Sequence, residues 1–232
     1  MELIWQGLVQ AFWLIVMADP EVMRITVLSI QLSGLATLSS LVLGIPVGTV
    51  IGLTSFPGRG VVLSLINTGM GFPPVVVGLF VSIMLWRSGP LGVLQLLYTP
   101  TAIVVAQFVL AFPVVTGLTV TAMQQLDPKL RLQLLGLGAS RVQLVGELLK
   151  EARLPMLAAV MAGFGAVISE IGASMMVGGN ILGYTRVLTT ATVLETAKGN
   201  FDVAIALSVI LLAITFLINW GLTAMQQRGA HP

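Results

Sequence analysis

The chain has 232 residues, 56% of them hydrophobic and only 9% charged. Soluble domains carry roughly 25% charged residues, so composition alone makes this a membrane protein. The formal net charge of +2 is too small to point to nucleic acid, the lack of cysteine excludes disulfides and iron–sulfur sites, and the single histidine, His231, lies too near the C-terminus to serve a zinc site or a Ser–His nucleophile.

The first residues lack a basic n-region and a small-residue cleavage site, so no cleaved signal peptide is expected. The opening stretch "MELIWQGLVQAFWLIVM" is short and contains Gln6 and Gln10. It also places Trp5, Phe12 and Trp13 where aromatic residues favour an interface. Residues 1–18 are therefore read as a helix lying along the membrane surface, with a sixth crossing helix as the alternative. A hydrocarbon core about 30 Å thick needs about 20 apolar residues per crossing helix. Segments 25–53, 61–86, 101–124 and 200–225 meet this, and 155–177 is interrupted only by Ser169, Glu170 and Ser174. Asp19–Pro20 and Asp127–Pro128 are helix-start signals, and "FPGRG" at 56–60 is a tight turn. The expected fold is an all-α integral membrane protein, one domain over 1–232 with about five spanning helices. Arg59, Lys129, Arg131, Arg141, Lys150, Arg153 and Arg228 then fall on one side, against Arg24, Arg87, Arg186 and Lys198 on the other. That bias puts the C-terminus in the cytoplasm and the N-terminus outside.

Pro73 and Pro74 in "GMGFPPVVVGL" cannot donate to the carbonyls of Gly69 and Met70, and Pro113 likewise frees that of Val109. Two readings are open: helices bent around a translocation pathway, or packing kinks. Eight of the chain's 20 charged residues fall between Asp127 and Arg153. Here Asp127–Pro128 starts a helix, Gly136 and Gly138 bend it, and Ser140 with Gln143 forms a capping box. Val145, Leu148, Leu149 and Ala152 share a face, with Arg141, Glu147, Lys150 and Glu151 around the others, and Pro155 closes the unit. Residues 127–153 thus read as a cytoplasmic pair of short helices that either lies on the lipid surface or docks into a groove on another protein.

Glu170 is the one ionisable residue well inside a span, which makes it a candidate for the pathway or gate. The bland reading is a carboxylate satisfied by backbone amides or by a cation such as Arg186 or Lys198. Next, Gly178 and Gly179 end the span, Asn180 and Gly183 mark a turn, and residues 185–198 resume a helical pattern closed by Gly199–Asn200. This external stretch, 178–200, is either an ordinary solvated helix or an oxyanion site. For the latter, Arg186 and the hydroxyls of Thr189 and Thr190 are the candidate contacts.

The segment "LGASRVQLVGELLKEARLP" resembles the cytoplasmic loop of permease subunits of binding-protein-dependent ABC importers, whose pattern is EAA, three residues, Gly, nine residues and I-x-L-P. Gly138 matches its glycine and Leu154–Pro155 its end. Leu132, Gln133 and Leu134 stand at the EAA positions, and Gly138 and Pro155 lie 17 positions apart rather than 13, about one extra helical turn. No role of the family's glutamate carries over. "SEIGASMMVGGNILGYTRVLTTATVLETAKGNF" (169–201) and "FPPVVVGL" (72–79) resemble the oxyanion branch, tungstate permeases more than molybdate ones. The resemblance implies a type I importer fold in a prokaryotic inner membrane. It implies a homodimer formed with a second copy, an ABC ATPase dimer below and an extracytoplasmic tungstate-binding protein above. ATPase coupling is then expected of Gly138, Ala139, Ser140, Arg141 and Pro155, and the candidates for the pathway or gate are Pro73, Pro74, Pro113, Glu170 and Asn180. ATP and Mg would belong to the ATPase, because no G-x-x-x-x-G-K-[ST] segment exists in this chain. The alternatives are a molybdate or sulfate permease and, in another class, a secondary carrier or channel.

Overall fold

The computed structural model describes residues 2–230, with side chains for 5–227, so His231 and the Arg228 side chain lie outside the described residues. Every regular element among the described residues is helical. They are α1 (Glu2–Val16), α2 (Pro20–Leu53), α3 (Arg59–Met70), α4 (Pro74–Leu85), α5 (Pro100–Gln124), α6 (Pro128–Gly136), α7 (Arg141–Glu151), α8 (Arg153–Ile168), α9 (Gly172–Gly178), α10 (Leu188–Lys198) and α11 (Phe201–Ala230). Three helices begin in the same way, with a polar cap followed by proline. Asp19 accepts from the amides of Glu21 and Val22, Thr99 from Ala102, and Asp127 from Lys129. Proline at the first helical position costs nothing, because its missing N–H would have had no partner there.

The centre of the molecule is the packing of α2 along α5. Gly44, Gly48 and Gly52 lie four residues apart on one face of α2. A Cβ at Gly48 would sit 2.7 Å from the Thr116 carbonyl oxygen and 2.7 Å from Thr119 Cβ, and one at Gly52 would sit 2.7 Å from Met123 Cβ. Small residues at this spacing let two backbones approach, which is how helices gain contact energy in lipid, where no hydrophobic driving force between them exists. Toward the outer end the same side of α2 carries buried hydroxyls. Ser29, Thr37 and Ser40 donate to the carbonyls of Ile25, Ser33 and Ala36 at 2.7, 2.7 and 2.8 Å. Neither this glycine run nor Pro46, which sits inside α2 without ending it, stands out in a reading of the sequence by apolar length.

Three helices, α2, α5 and α11, are long and apolar enough to cross a membrane, or up to five if bent pairs count as single spans. The expected span 61–86 requires correction. It is two helices, α3 and α4, meeting at 103°, because Pro73 and Pro74 remove two consecutive donors and the chain turns rather than kinks. Segment 155–177 is also divided, into α8 and α9. A turn of 69° separates α7 from α8 at Ala152. Pro155 sits in the first turn of α8, past that bend, so it does not close the cytoplasmic unit as its spacing suggested. α1, about 22 Å long by helical rise, packs on α11 with Gly7 against Ile205 and with Ala11 buried. Its other side exposes Trp5, Phe12 and Trp13.

A branched side chain at Gly48 must push α2 off α5. Gly48→Leu is expected to cost about 1–3 kcal/mol and lower the thermal midpoint in detergent, whereas Gly34→Ala, where a Cβ meets nothing within 4 Å, leaves it unchanged.

Candidate coupling and translocation sites

The charged island folds as an elbow. Gly138 has φ +81°, with no atom within 4 Å of where a Cβ would stand, so glycine is needed for the backbone and not for space. The capping box forms: the Gln143 amide donates to Ser140 Oγ (3.4 Å) and the Ser140 amide to Gln143 Oε1 (2.9 Å). Leu144, Leu148 and Ala152 are buried, with Val145 and Leu149 half-buried. This face joins Ala122, Met123 and Met156 at the inner ends of α5 and α8. Ala139 is half-buried at the bend, and Arg141 is exposed. The exposed Glu147–Lys150 pair (2.6 Å) contributes little at such a surface.

Arg131 fastens the elbow to the end of α2, and Arg59 at the start of α3 bonds the same end. Arg59 Nε donates to the Ile51 carbonyl (2.9 Å) and Arg131 Nη1 to the Leu53 carbonyl (3.2 Å). Both satisfy the carbonyl end of α2, where positive charge is favoured. The outer surface of the elbow is unexpectedly apolar. Leu137 is 85% exposed, Val142 83% and Leu132 69%. Beside them an opening of about 620 Å³ is lined by Leu53, Leu126, Arg131, Leu132, Leu135 and Leu148. A rigid, capped element with bare aliphatic side chains has the character of a docking surface.

The breaks at membrane depth lie close together. Gly69, just before the first break, meets Pro113 midway along α5, where a Cβ would be 2.8 Å from the proline's Cβ. α5 continues through Pro113, which is buried. Past the breaks, α4 packs against α9. A Cβ at Gly78 would lie 2.6 Å from Ala173 Cα, and one at Gly172 would lie 2.6 Å from Val75 Cγ2. Thus Pro73–Pro74 and Glu170 each end one helix and start a short outer one, and the two short helices touch.

Glu170 is buried, and its carboxylate is filled by its own chain. Oε1 accepts from the Ala173 amide (2.6 Å), and Oε2 accepts from the Ser174 amide and hydroxyl (both 2.9 Å). It caps α9. Neither candidate cation reaches it: Arg186 pairs with Glu21 (3.3 Å) and Lys198 with Glu195 (2.7 Å). Gln107, not singled out by the sequence, is buried on α5 and donates to the Val167 carbonyl (3.1 Å) at the end of α8. Its only signal is that it interrupts an apolar run.

Residues 178–190 form a tightly bonded knot. Asn180 adopts φ +50°, and its amide reaches the Thr190 carbonyl at 3.4 Å. Thr185 Oγ1 donates to the Gly178 carbonyl (2.6 Å) and accepts from the Ile181 amide (2.9 Å). Thr189 and Thr190 are buried. The Thr189 hydroxyl donates to the Glu170 carbonyl (2.9 Å), and the Thr190 hydroxyl bonds the Val187 backbone (3.1 Å). The first amide of α10, on Leu188, donates to Ser29 Oγ at 2.8 Å. Of the candidate oxyanion contacts, only Arg186 borders open space, two cavities of about 250 and 270 Å³ that both also touch Glu21. At the far end, hydrogen bonds from Lys198 and Asn200 hold the Glu195 carboxyl below the usual range against the opposing effect of burial.

These features define a multi-pass membrane protein of the transporter class. The chain belongs to the family described as "Binding-protein-dependent transport system inner membrane component", which matches residues 44–230. It is 42% identical over 200 residues to a "Probable anion ABC transporter permease protein" of Haloferax volcanii, covering 84% of this chain and 86% of that one. It is 38% identical over 227 residues to the "Tungstate uptake system permease protein TupB" of Peptoclostridium acidaminophilum, covering 98% and 100%. Among solved structures, an "amino acid ABC transporter with histidines" matches with a TM-score of 0.67 at 18% identity, covering 92% of this chain and 96% of the other. At that identity the likeness is one of fold.

Removing the Glu170 carboxylate strands two buried amides. Glu170→Ala is expected to cost about 1–3 kcal/mol in denaturant titration, with Glu170→Gln intermediate because it keeps one acceptor. Glu195 predicts a pH effect. Its carboxyl titrates lower in the folded state, so its contribution is present above the ordinary carboxylate range and is lost as pH falls through the folded value. Amides around Gly199 should exchange faster as the solution is acidified through that window, and Glu195→Gln should flatten the response.

Proposed function

We propose that this chain is the permease subunit of an ATP-driven importer that translocates tungstate delivered by an extracytoplasmic binding protein. The observation that carries the importer reading is the elbow: a capped, charged and apolar-tipped docking element fastened to the inner ends of α2, α5 and α8. The cargo assignment rests on the resemblance of residues 169–201 and on the relatives named for tungstate and anion uptake. In this reading two copies of the chain form the core, and an ABC ATPase dimer holding ATP and Mg sits beneath the elbows. The C-terminus is cytoplasmic and the N-terminus outside.

The geometry supplies a route for the signal. ATPase closure displaces α7, with the unpacked Gly138 as the joint that lets it turn relative to α6. Arg131 passes that displacement to the end of α2, to which Arg59 also ties the start of α3. The turn at Ala152 passes it to α8, whose far end is tied to α5 through Gln107. At that far end the Glu170 cap starts α9 and carries α4 with it. Proximity of Pro73–Pro74, Pro113 and Glu170 makes this level the gate, with Asn180 in the knot above it. Arg186 is the one candidate oxyanion contact bordering a cavity, so its charge supports anion entry there, while Thr189 and Thr190 hold the knot in shape. Broken helices also occur in secondary carriers, which is the second reading.

Two measurements decide. In the reconstituted complex, tungstate should outcompete molybdate and sulfate for ATP-dependent uptake; uptake that persists without the ATPase would move the chain to the carrier class. Gly138→Pro and Arg141→Glu should leave the spans folded while abolishing binding-protein-stimulated ATP hydrolysis, and normal stimulation in both would remove the elbow from coupling.

A further inference from the structure

Two arginines meet at the end of the bundle remote from the elbow. Arg24 lies in the second turn of α2, whose opposite end is bonded by Arg131, and Arg186 stands just before the start of α10. Both border a cavity of about 270 Å³, together with Glu21, Leu28, Leu182 and Gly183. Gly183 has φ +70°, and a Cβ there would sit 3.2 Å from Arg24 Nη1, so this glycine lets the turn lie against the guanidinium. Charge separates this cavity from its neighbour of about 250 Å³, which shares Glu21 and Arg186. The neighbour adds the carboxylates of Asp19 and Glu195, so acidic groups outnumber its one arginine. In the 270 Å³ cavity Glu21 faces both arginines, so an anion is drawn to it and not to the other.

The arginines are only partly engaged. Arg186 has 15% of its side chain exposed, and its Nη1 reaches Glu21 Oε1 at 3.3 Å, long for a charge-assisted bond. Its Nε is buried with no partner among the described residues. A buried charged donor is costly to leave unmade and calls for an acceptor. The Arg24 guanidinium forms no ion pair among the described residues. Glu21, with 57% of its side chain exposed, can turn away into solvent.

We propose that Arg24 and Arg186 bind a free tetrahedral oxyanion in this cavity, with Glu21 as the carboxylate that holds Arg186 until the anion displaces it. That the anion is the cargo rests on the transport function proposed above; the site itself rests on the two guanidiniums. Guanidinium forks match the paired oxygens of such an anion. A water takes about 30 Å³ in the liquid, so the cavity holds a four-oxygen anion with part of its hydration shell. Glu21 makes the site releasable, because its return supplies the charge that the departing anion takes away. The headgroup phosphate of a lipid offers the same chemistry, and the source is distinguished by the solvent of the titration.

The assembled complex, in a phosphate-free maltoside detergent and without binding protein, is titrated with sodium tungstate by calorimetry at fixed ionic strength. Saturable binding is expected, with sulfate competing. Arg24→Gln and Arg186→Gln should each weaken it about tenfold, and Glu21→Gln should tighten it about threefold by removing the competing charge. Arg87→Gln, at an exposed cation that does not line the cavity, should leave it unchanged. Titration in phospholipid nanodiscs should give the same affinity; binding that vanishes there assigns the site to a lipid phosphate and overturns the proposal. Absence of saturable binding overturns it, as does weakening by Glu21→Gln or an equal loss in Arg24→Gln and Arg87→Gln. If Arg186→Gln fails to assemble, Arg24→Gln and Glu21→Gln decide alone. Each of these failures leaves oxyanion uptake by the wild-type complex standing, whereas a wild-type complex that takes up no oxyanion sinks the transport reading itself.

Discussion

Inside a bilayer an unpaired backbone amide or carbonyl has no water to turn to, and each costs several kcal/mol. Where this chain stops being helical at membrane depth, side chains meet most of that demand. Glu170 supplies two acceptors to the start of α9, and Gln107 donates to the Val167 carbonyl where α8 ends. At the inner boundary Arg59 and Arg131 take the last carbonyls of α2. At the Pro73–Pro74 break the Gly69 carbonyl is met by the Phe72 amide.

The two halves of the bundle differ accordingly. α2 and α5 lie together where Gly44, Gly48 and Gly52 meet Val115, Thr116, Thr119 and Met123, so the two backbones approach closely. α4 and α9 are each short, each begins at a break, and they touch through Gly78, Ala173 and Gly172. The close pairing of α2 with α5 and the paired short helices α4 and α9 are thus two differently built parts of the bundle.

Much of this is legible in the residues. The Asp-Pro starts, the Ser140–Gln143 box, the glycine bend at 138 and the turn at 178–183 all depend on local chemistry, and each appears where local chemistry puts it. The break at 73–74 shows in the sequence only as missing donors; its angle is set by α3 resting on Pro113, a contact 44 positions away. For Glu170 the sequence offers amides or a cation, and the choice of amides depends on where Arg186 and Lys198 are already engaged. Thr189 and Thr190 look available in the sequence because spacing cannot say that α10 is pressed against Ser29 and the Glu170 carbonyl.

The aliphatic side chains on the elbow also bear on the life of the subunit before it is assembled. Leu132, Leu137 and Val142 project from a surface that faces the aqueous interior when the C-terminus is cytoplasmic. A copy of this chain inserted without its ATPase presents that surface bare to the cell interior, adhesive to itself and attractive to chaperones and proteases that select exposed aliphatic segments. If the proposed ATPase covers that surface, its supply would govern how much of the membrane subunit survives.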